Sequence, residues 1–258
     1  MKIVMIGAGG LASNLAPALR EAGHEVIAVY SRTMASASTL AAAIGSRPYD
    51  TIADLPVKAD CFMMAVKDSA LAEVLAELVK GREEQLFVHT AGSVPMSLLA
   101  GCAVNCGVFW PMQTFSRQRR VGFADVPVFI EGSSTDVLAK LEMLAGSIGS
   151  RVCRLSSEER KYMHLAAVFA CNFTNHCYAL AARILEQHGV PFGVMLPLIG
   201  ETARKVQEVH PVAAQTGPAV RYDENVIGRQ IALLQGQPEM QAIYEMLSQS
   251  IHHTATGK

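Results

Sequence analysis

Aromatic residues are scarce in this chain: six tyrosines, nine phenylalanines and one tryptophan make up 6% of its 258 residues. Charge is also thin, at 17%, and neither sign dominates, since 22 Lys and Arg stand against 23 Asp and Glu for a net charge of −1. A near-neutral chain gives no electrostatic footing for a polyanion, so neither nucleic acid nor an anionic membrane surface is an expected partner. A long apolar run is missing too. The longest stretch without Asp, Glu, Lys or Arg, Gln85 to Ser116, is interrupted by His89, Asn105, Gln113, two prolines and three glycines, whereas a membrane helix needs about 20 continuous apolar residues. The apolar start, Met1 to Gly7, is too short for a secretory signal, and the chain is expected to be cytoplasmic. Cysteines Cys61, Cys102, Cys106, Cys153, Cys171 and Cys177 lack a pair of CxxC motifs. They read as reduced small hydrophobes, with no metal site expected.

What is present is core-forming material: 50% of the residues are apolar, enough to exclude disorder. At roughly 150 residues per domain the length predicts two domains or one large one. Over residues 1–155 short apolar strands alternate with helical stretches. Ile3 to Ile6, Glu25 to Tyr30, Cys61 to Val66, Leu86 to His89, Val104 to Phe109, Val126 to Ile130 and Arg151 to Leu155 read as strands. Leu11 to Ala22, Ser36 to Ile44, Ser69 to Val79, Pro95 to Leu99 and Asp136 to Ile148 read as helices. Repeated βα units imply an α/β fold with a doubly wound parallel sheet. At Ser156-Ser157-Glu158-Glu159 a capping signature opens a stretch without Gly or Pro to His188. One helix of about 30 residues, about 45 Å long, is predicted there. Residues 156–258 hold no convincing strand and form an all-α second domain.

The strongest chemical signal is Gly7-Ala8-Gly9-Gly10-Leu11-Ala12, between the first strand and the first helix. In a dinucleotide-binding (Rossmann) fingerprint the first glycine allows the tight turn and the second lets backbone approach a pyrophosphate. The third position packs against the strand, where Ala12 suffices. The second strand ends in Val29-Tyr30-Ser31-Arg32-Thr33 and lacks the acidic residue that binds the ribose 2′-hydroxyl of NAD. Arg32, with the hydroxyls of Ser31 and Thr33, suits a 2′-phosphate and predicts NADP, the alternative being a solvated loop charge. Ala65-Val66-Lys67 and Thr90-Ala91-Gly92 follow later strands. In open α/β sheets ligands lie beyond the carboxyl ends of the strands, so these residues are expected at the ribose and nicotinamide. Lys67 reads as a cofactor contact rather than a catalytic acid, and His89 as a core histidine.

With Ser93 added to the last of them, these segments, followed by a helical half, resemble the pyrroline-5-carboxylate reductase and F420-dependent NADP oxidoreductase group. Three further motifs narrow the resemblance: Phe109-Trp110-Pro111-Met112-Gln113-Thr114-Phe115-Ser116, Tyr162-Met163-His164-Leu165-Ala166-Ala167-Val168-Phe169 with Asn172, and Thr216-Gly217-Pro218-Ala219-Val220-Arg221. They are similar to a bacterial NADP oxidoreductase family that joins a Rossmann-like domain to a C-terminal helical domain of unknown function. The resemblance covers nearly the whole chain. The Ser/Thr-rich helix start by which pyrroline-5-carboxylate reductases hold a carboxylate is missing. So is the Lys-x-x-x-Asn signature of β-hydroxyacid dehydrogenases, because Leu165 stands four after Lys161.

The resemblance implies that the long helix faces the nicotinamide, which makes His164 a candidate proton donor, with a structural histidine as the alternative. Asn172 is a candidate substrate hydrogen-bonder, since a buried amide needs a partner. Trp110 reads as a packing or pocket-wall residue, and Gln113 as a substrate contact. The resemblance also implies that the loop from Thr216 approaches the nicotinamide pocket, often across a dimer interface. Thr216 and Arg221 would then bind an anionic substrate, unless Arg221 pairs locally with Asp223 or Glu224. The expected function is hydride transfer between NADP(H) and a small carbonyl, imine or hydroxy substrate. The alternative is a catalytically silent NADP-binding sensor or scaffold. No Asp, Glu, Lys or Arg occurs from Met163 to Ala182. A helix so apolar is expected to be buried nearly all round, in a homodimer formed through the helical domain.

Overall fold

The computed structural model describes residues 1–257. Its first half runs β1 (Lys2–Ile6), α1 (Gly10–Glu21), β2 (Glu25–Tyr30), α2 (Met34–Ile44), β3 (Arg47–Tyr49), β4 (Cys61–Met64), α3 (Leu71–Leu78), β5 (Leu86–His89), α4 (Ser97–Ala100), β6 (Asn105–Pro111), β7 (Val128–Gly132), α5 (Thr135–Ser147) and β8 (Val152–Arg154). The strands form one eight-stranded sheet in the order β3-β2-β1-β4-β5-β6-β7-β8. This is the doubly wound arrangement, with the strand order reversing between β1 and β4. Alternate residues of β1 feed the two faces: Ile3 and Met5 pack under α1, α2 and α5, while Val4 and Ile6 pack under α3. A strand buried on both sides must be apolar at every position, which explains the unbroken runs in the sequence.

Two features depart from the expected sheet. The edge strand β3 was not predicted, because Arg47-Pro48-Tyr49 is short and carries a proline, which an edge tolerates. The sheet is also not wholly parallel, since β7 runs antiparallel to β6. No helix lies between them to carry the chain back across the sheet. The chain therefore re-enters in the opposite direction, and the helix-free loop from Met112 to Pro127 is left to cross α1.

The second half runs α6 (Ser157–Ala167), a π-helical segment (Val168–Phe173), α7 (Thr174–Gln187), α8 (Leu196–Glu208), α9 (Pro211–Ala214), α10 (Pro218–Arg221), α11 (Glu224–Leu233) and α12 (Pro238–Thr256). The Ser156–Glu159 capping box forms as the sequence predicts. The expected uninterrupted α-helix over 156–188 is broken by the wider turn at Val168–Phe173. An i→i+5 turn is wider than an α-helical one and interrupts the regular spacing of side chains along the helix. Nor is α7 buried nearly all round within its own chain, where none of its residues is buried. The chain divides into two compact units, Met1–Cys171 and Asn172–Lys258. Helix α6 thus belongs with the sheet, and the division falls later than the composition change after Leu155. No helix among the described residues is long and apolar enough to cross a membrane.

Candidate functional site

Gly7 is required at the end of β1 for two reasons. Its φ is +115°, and an added Cβ would stand 2.3 Å from the Ala65 carbonyl oxygen. Gly9, the N-cap of α1, has nothing within 4 Å of an added Cβ, so the space over the helix start is open. The first turn of α1 holds no acidic residue. Its unpaired backbone N–H groups and positive dipole end therefore favour an anion. Gly10 has a different reason: an added Cβ would lie 2.6 Å from the Phe115 carbonyl oxygen of the β6–β7 loop. Ala12 is fully buried in the core beneath α1, in the packing role that the third fingerprint position needs.

A cleft of about 610 Å³ opens at this turn. It is bordered by Gly7, Ala8, Gly9, Gly10 and Leu11, by Ser31 and Arg32 at the end of β2, and by Ala65, Val66 and Lys67 after β4. The structure therefore brings together most of the residues expected at a dinucleotide. Arg32 and Lys67 are exposed there. Thr33 does not border the cleft; its hydroxyl instead accepts a 3.4 Å hydrogen bond from the Ser36 N–H and caps α2. Other clefts of about 520 and 570 Å³ border none of the predicted residues. Volume alone does not select the site, but the carboxyl ends of the strands do.

Thr90, Ala91 and Gly92, after β5, are buried and lie outside that cleft. The Thr90 hydroxyl donates to the Met64 carbonyl at 3.2 Å. Gly92 instead forms the floor of a second locus. A Cβ there would lie 2.6 Å from His164 Cδ2 and 2.7 Å from Trp110 Cε2. The Trp110 and His164 rings are 5.9 Å apart, and Trp110 packs on Phe129 at 5.3 Å. Trp110 is buried and packed between these rings, and His164 is half-buried.

A buried polar network holds α6 at this locus. Arg160, one turn before His164, is 1% exposed. It donates to Glu131 Oε2 at 2.6 Å, the Val94 carbonyl at 2.7 Å and the Ser157 hydroxyl at 3.1 Å. Ser157 donates to the same Glu131 oxygen at 2.6 Å and accepts from the Met96 N–H at 2.9 Å. The network joins β7, α6 and the segment after β5. His89 lies fully buried nearby. Its Nδ1 accepts from the Ala91 N–H at 3.2 Å, while Nε2 closes no hydrogen bond. Burial, with the Arg160 charge adding to it, pushes the His89 imidazole down to about 4, so it is neutral near pH 7. His89 thus lies in the core, but it is not the fully satisfied core histidine that the sequence predicts.

Gln113 is exposed, and its Oε1 accepts from the Thr114 N–H at 2.9 Å. Asn172, Thr216 and Arg221 belong to the second unit, where all three are exposed. Arg221 forms no ion pair among the described residues, and Asp223 is engaged as the N-cap of α11. Sequence reasoning missed Arg117, which borders the cleft, and the Arg160–Glu131 pair. The only trace of the pair is an acid at the end of an otherwise apolar strand.

Strand order, glycine turn and cleft together define a Rossmann-like protein. Residues 1–110 match the Rossmann-like domain, and residues 126–251 match a domain of unknown function (DUF2520) that takes in β7, α5 and β8 as well as the helices. The chain is 53% identical to the solved putative NADP oxidoreductase of Bacteroides fragilis over 98% of each chain, with a TM-score of 0.94. It belongs to that family: a Rossmann-like domain followed by the DUF2520 domain. More distant structures share the fold. A 1-pyrroline-5-carboxylate reductase of Streptococcus pyogenes is 16% identical over 98% of each chain, with a TM-score of 0.63. A reductive aminase of Aspergillus terreus, solved with NADPH and ethyl-5-oxohexanoate, is 16% identical over 95% of this chain and 92% of its own, with a TM-score of 0.67. A comparison with the curated proteins finds no match.

Proposed function

We propose that the protein is an NADP-dependent oxidoreductase, moving a hydride between NADP(H) and a small carbonyl, imine or hydroxy substrate. One observation carries this: the cleft joins an open α1 start at Gly9 to the Arg32 guanidinium at the end of β2. The family relationship to the Bacteroides fragilis protein supports it. The residues fit the cofactor. Gly7, Gly9 and the α1 N–H groups suit a pyrophosphate, Arg32 and Ser31 suit a 2′-phosphate, and Val66 and Lys67 suit the ribose side. The nicotinamide, when bound, supplies or accepts the hydride. The chain handles the proton: His164, fixed against Trp110 and Gly92 by the Arg160 network one turn away, donates it to the developing oxygen or nitrogen anion when a carbonyl or imine is reduced, and accepts it from the hydroxyl when a hydroxy substrate is oxidised.

The test is a panel of keto acids, imines and cyclic amino acids, scored by substrate-dependent change in NADPH absorbance. Turnover that falls about 10²–10⁴-fold in His164→Ala, with NADPH affinity kept, is expected of a proton donor. A second reading, a silent NADP-binding sensor, is favoured by the ring contacts that occupy His164. NADPH binding without turnover across the panel would select it.

A further inference from the structure

We infer that Arg117 is a cofactor-binding residue whose guanidinium holds the pyrophosphate of the dinucleotide, an assignment that rests on the NADP reading above. Arg117 lies in the loop between β6 and β7, far from the glycine turn in sequence. Its Nη2 nevertheless donates to the Ala8 carbonyl at 2.6 Å, within Gly7-Ala8-Gly9-Gly10, and the residue borders the same cleft.

The loop is fastened to α1 by a built-in clamp. Asn14 is 3% exposed; its Nδ2 donates to the Gly10 and Ser116 carbonyls at 2.8 and 2.9 Å, and its Oδ1 accepts from the Val121 N–H at 2.8 Å. The missing side chain of Gly10 admits the Phe115 carbonyl. Arg117 is therefore carried to the turn by a braced segment rather than by a free tether.

Three arginines lie close together in this loop, and the structure separates them. All three border the neighbouring groove along α1, where Arg120 is paired with Glu21. Arg117 alone of the three reaches the cleft, and it forms no ion pair among the described residues. Its hydrogen bond to Ala8 also offsets the negative end of a carbonyl beside the anion site. A guanidinium has five N–H donors in a planar fork, so bonding Ala8 leaves donors for phosphate oxygens. The contact is with the β1–α1 turn, where a pyrophosphate sits, and not with the end of β2, where a 2′-phosphate is read.

Calorimetry on the full chain, with NADPH, NADH and 2′-AMP as probes, tests the assignment. Arg117→Ala should weaken NADPH and NADH alike, by about 10- to 100-fold for a lost charge-assisted hydrogen bond, and leave 2′-AMP, which has no pyrophosphate, unchanged. Arg117→Gln, whose amide can still bond the Ala8 carbonyl, should lose affinity in the same way and guards against local collapse of the loop. Unchanged dinucleotide affinity in both variants would reduce Arg117 to a brace of the loop and overturn the inference. Loss confined to NADPH and 2′-AMP would also overturn it, by making Arg117 a ligand of the 2′-phosphate. Wild-type protein that binds neither dinucleotide would instead defeat the NADP reading, and this assignment with it.

Discussion

Three glycines of one turn are present for three different reasons, and substitutions tell them apart. Gly7 combines a positive φ with contact against Ala65, so Gly7→Ala should destabilise the fold by about 2–5 kcal/mol. Gly9 meets nothing, so Gly9→Val should leave the melting temperature of the free protein almost unchanged while abolishing dinucleotide binding. A Gly9→Val protein that retains affinity would move the cofactor out of this cleft. The motif was legible because each of these demands leaves the same mark, a missing side chain at a fixed spacing. The separate reason for Gly10 was not legible, since it depends on a carbonyl of Phe115 that only the folded loop delivers. Gly92, which the sequence places among the cofactor contacts, lies against the rings of Trp110 and His164, a neighbourhood that only the fold reveals.

Among the elements, α6 is fixed by its buried ion pair. Breaking such a pair strands a charge: Arg160→Met alone should lower stability by about 3–5 kcal/mol, whereas Arg160→Met with Glu131→Leu should recover much of the loss. Denaturant titration of both variants checks this, and equal losses would show that the charge left behind is not the cause. The same variants should lower turnover through misplacement of His164, one turn along. Periodicity predicted that a helix begins here, because the capping box is a local signal. It did not predict the π-helical segment, whose six residues Val168–Phe173 are as apolar as their neighbours and carry no Gly or Pro to announce a change. The antiparallel β7 escaped as well, since strand direction is set by where the β6–β7 loop travels and not by the strand's own residues.

In the molecule as a whole, the chain's alternation of strands and helices revealed the α/β class and the doubly wound sheet, because a strand buried on both faces has no choice of composition. The boundary between units was less legible: the composition changes at Ser156, yet α6 packs with the sheet and the division comes at Cys171. Half of the candidate site was readable for the same reason. The dinucleotide turn and Arg32 are local patterns, while Arg117, Arg160 and Glu131 reach their places only through long-range packing. The central claim is that the cleft reads NADP through Arg32, and calorimetry of NADPH and NADH against wild type and Arg32→Glu tests it most directly. The account predicts that wild type prefers NADPH and that Arg32→Glu loses NADPH affinity far more than NADH affinity, since a carboxylate there repels the 2′-phosphate. Equal losses for the two cofactors, or no preference in the wild type, would contradict it.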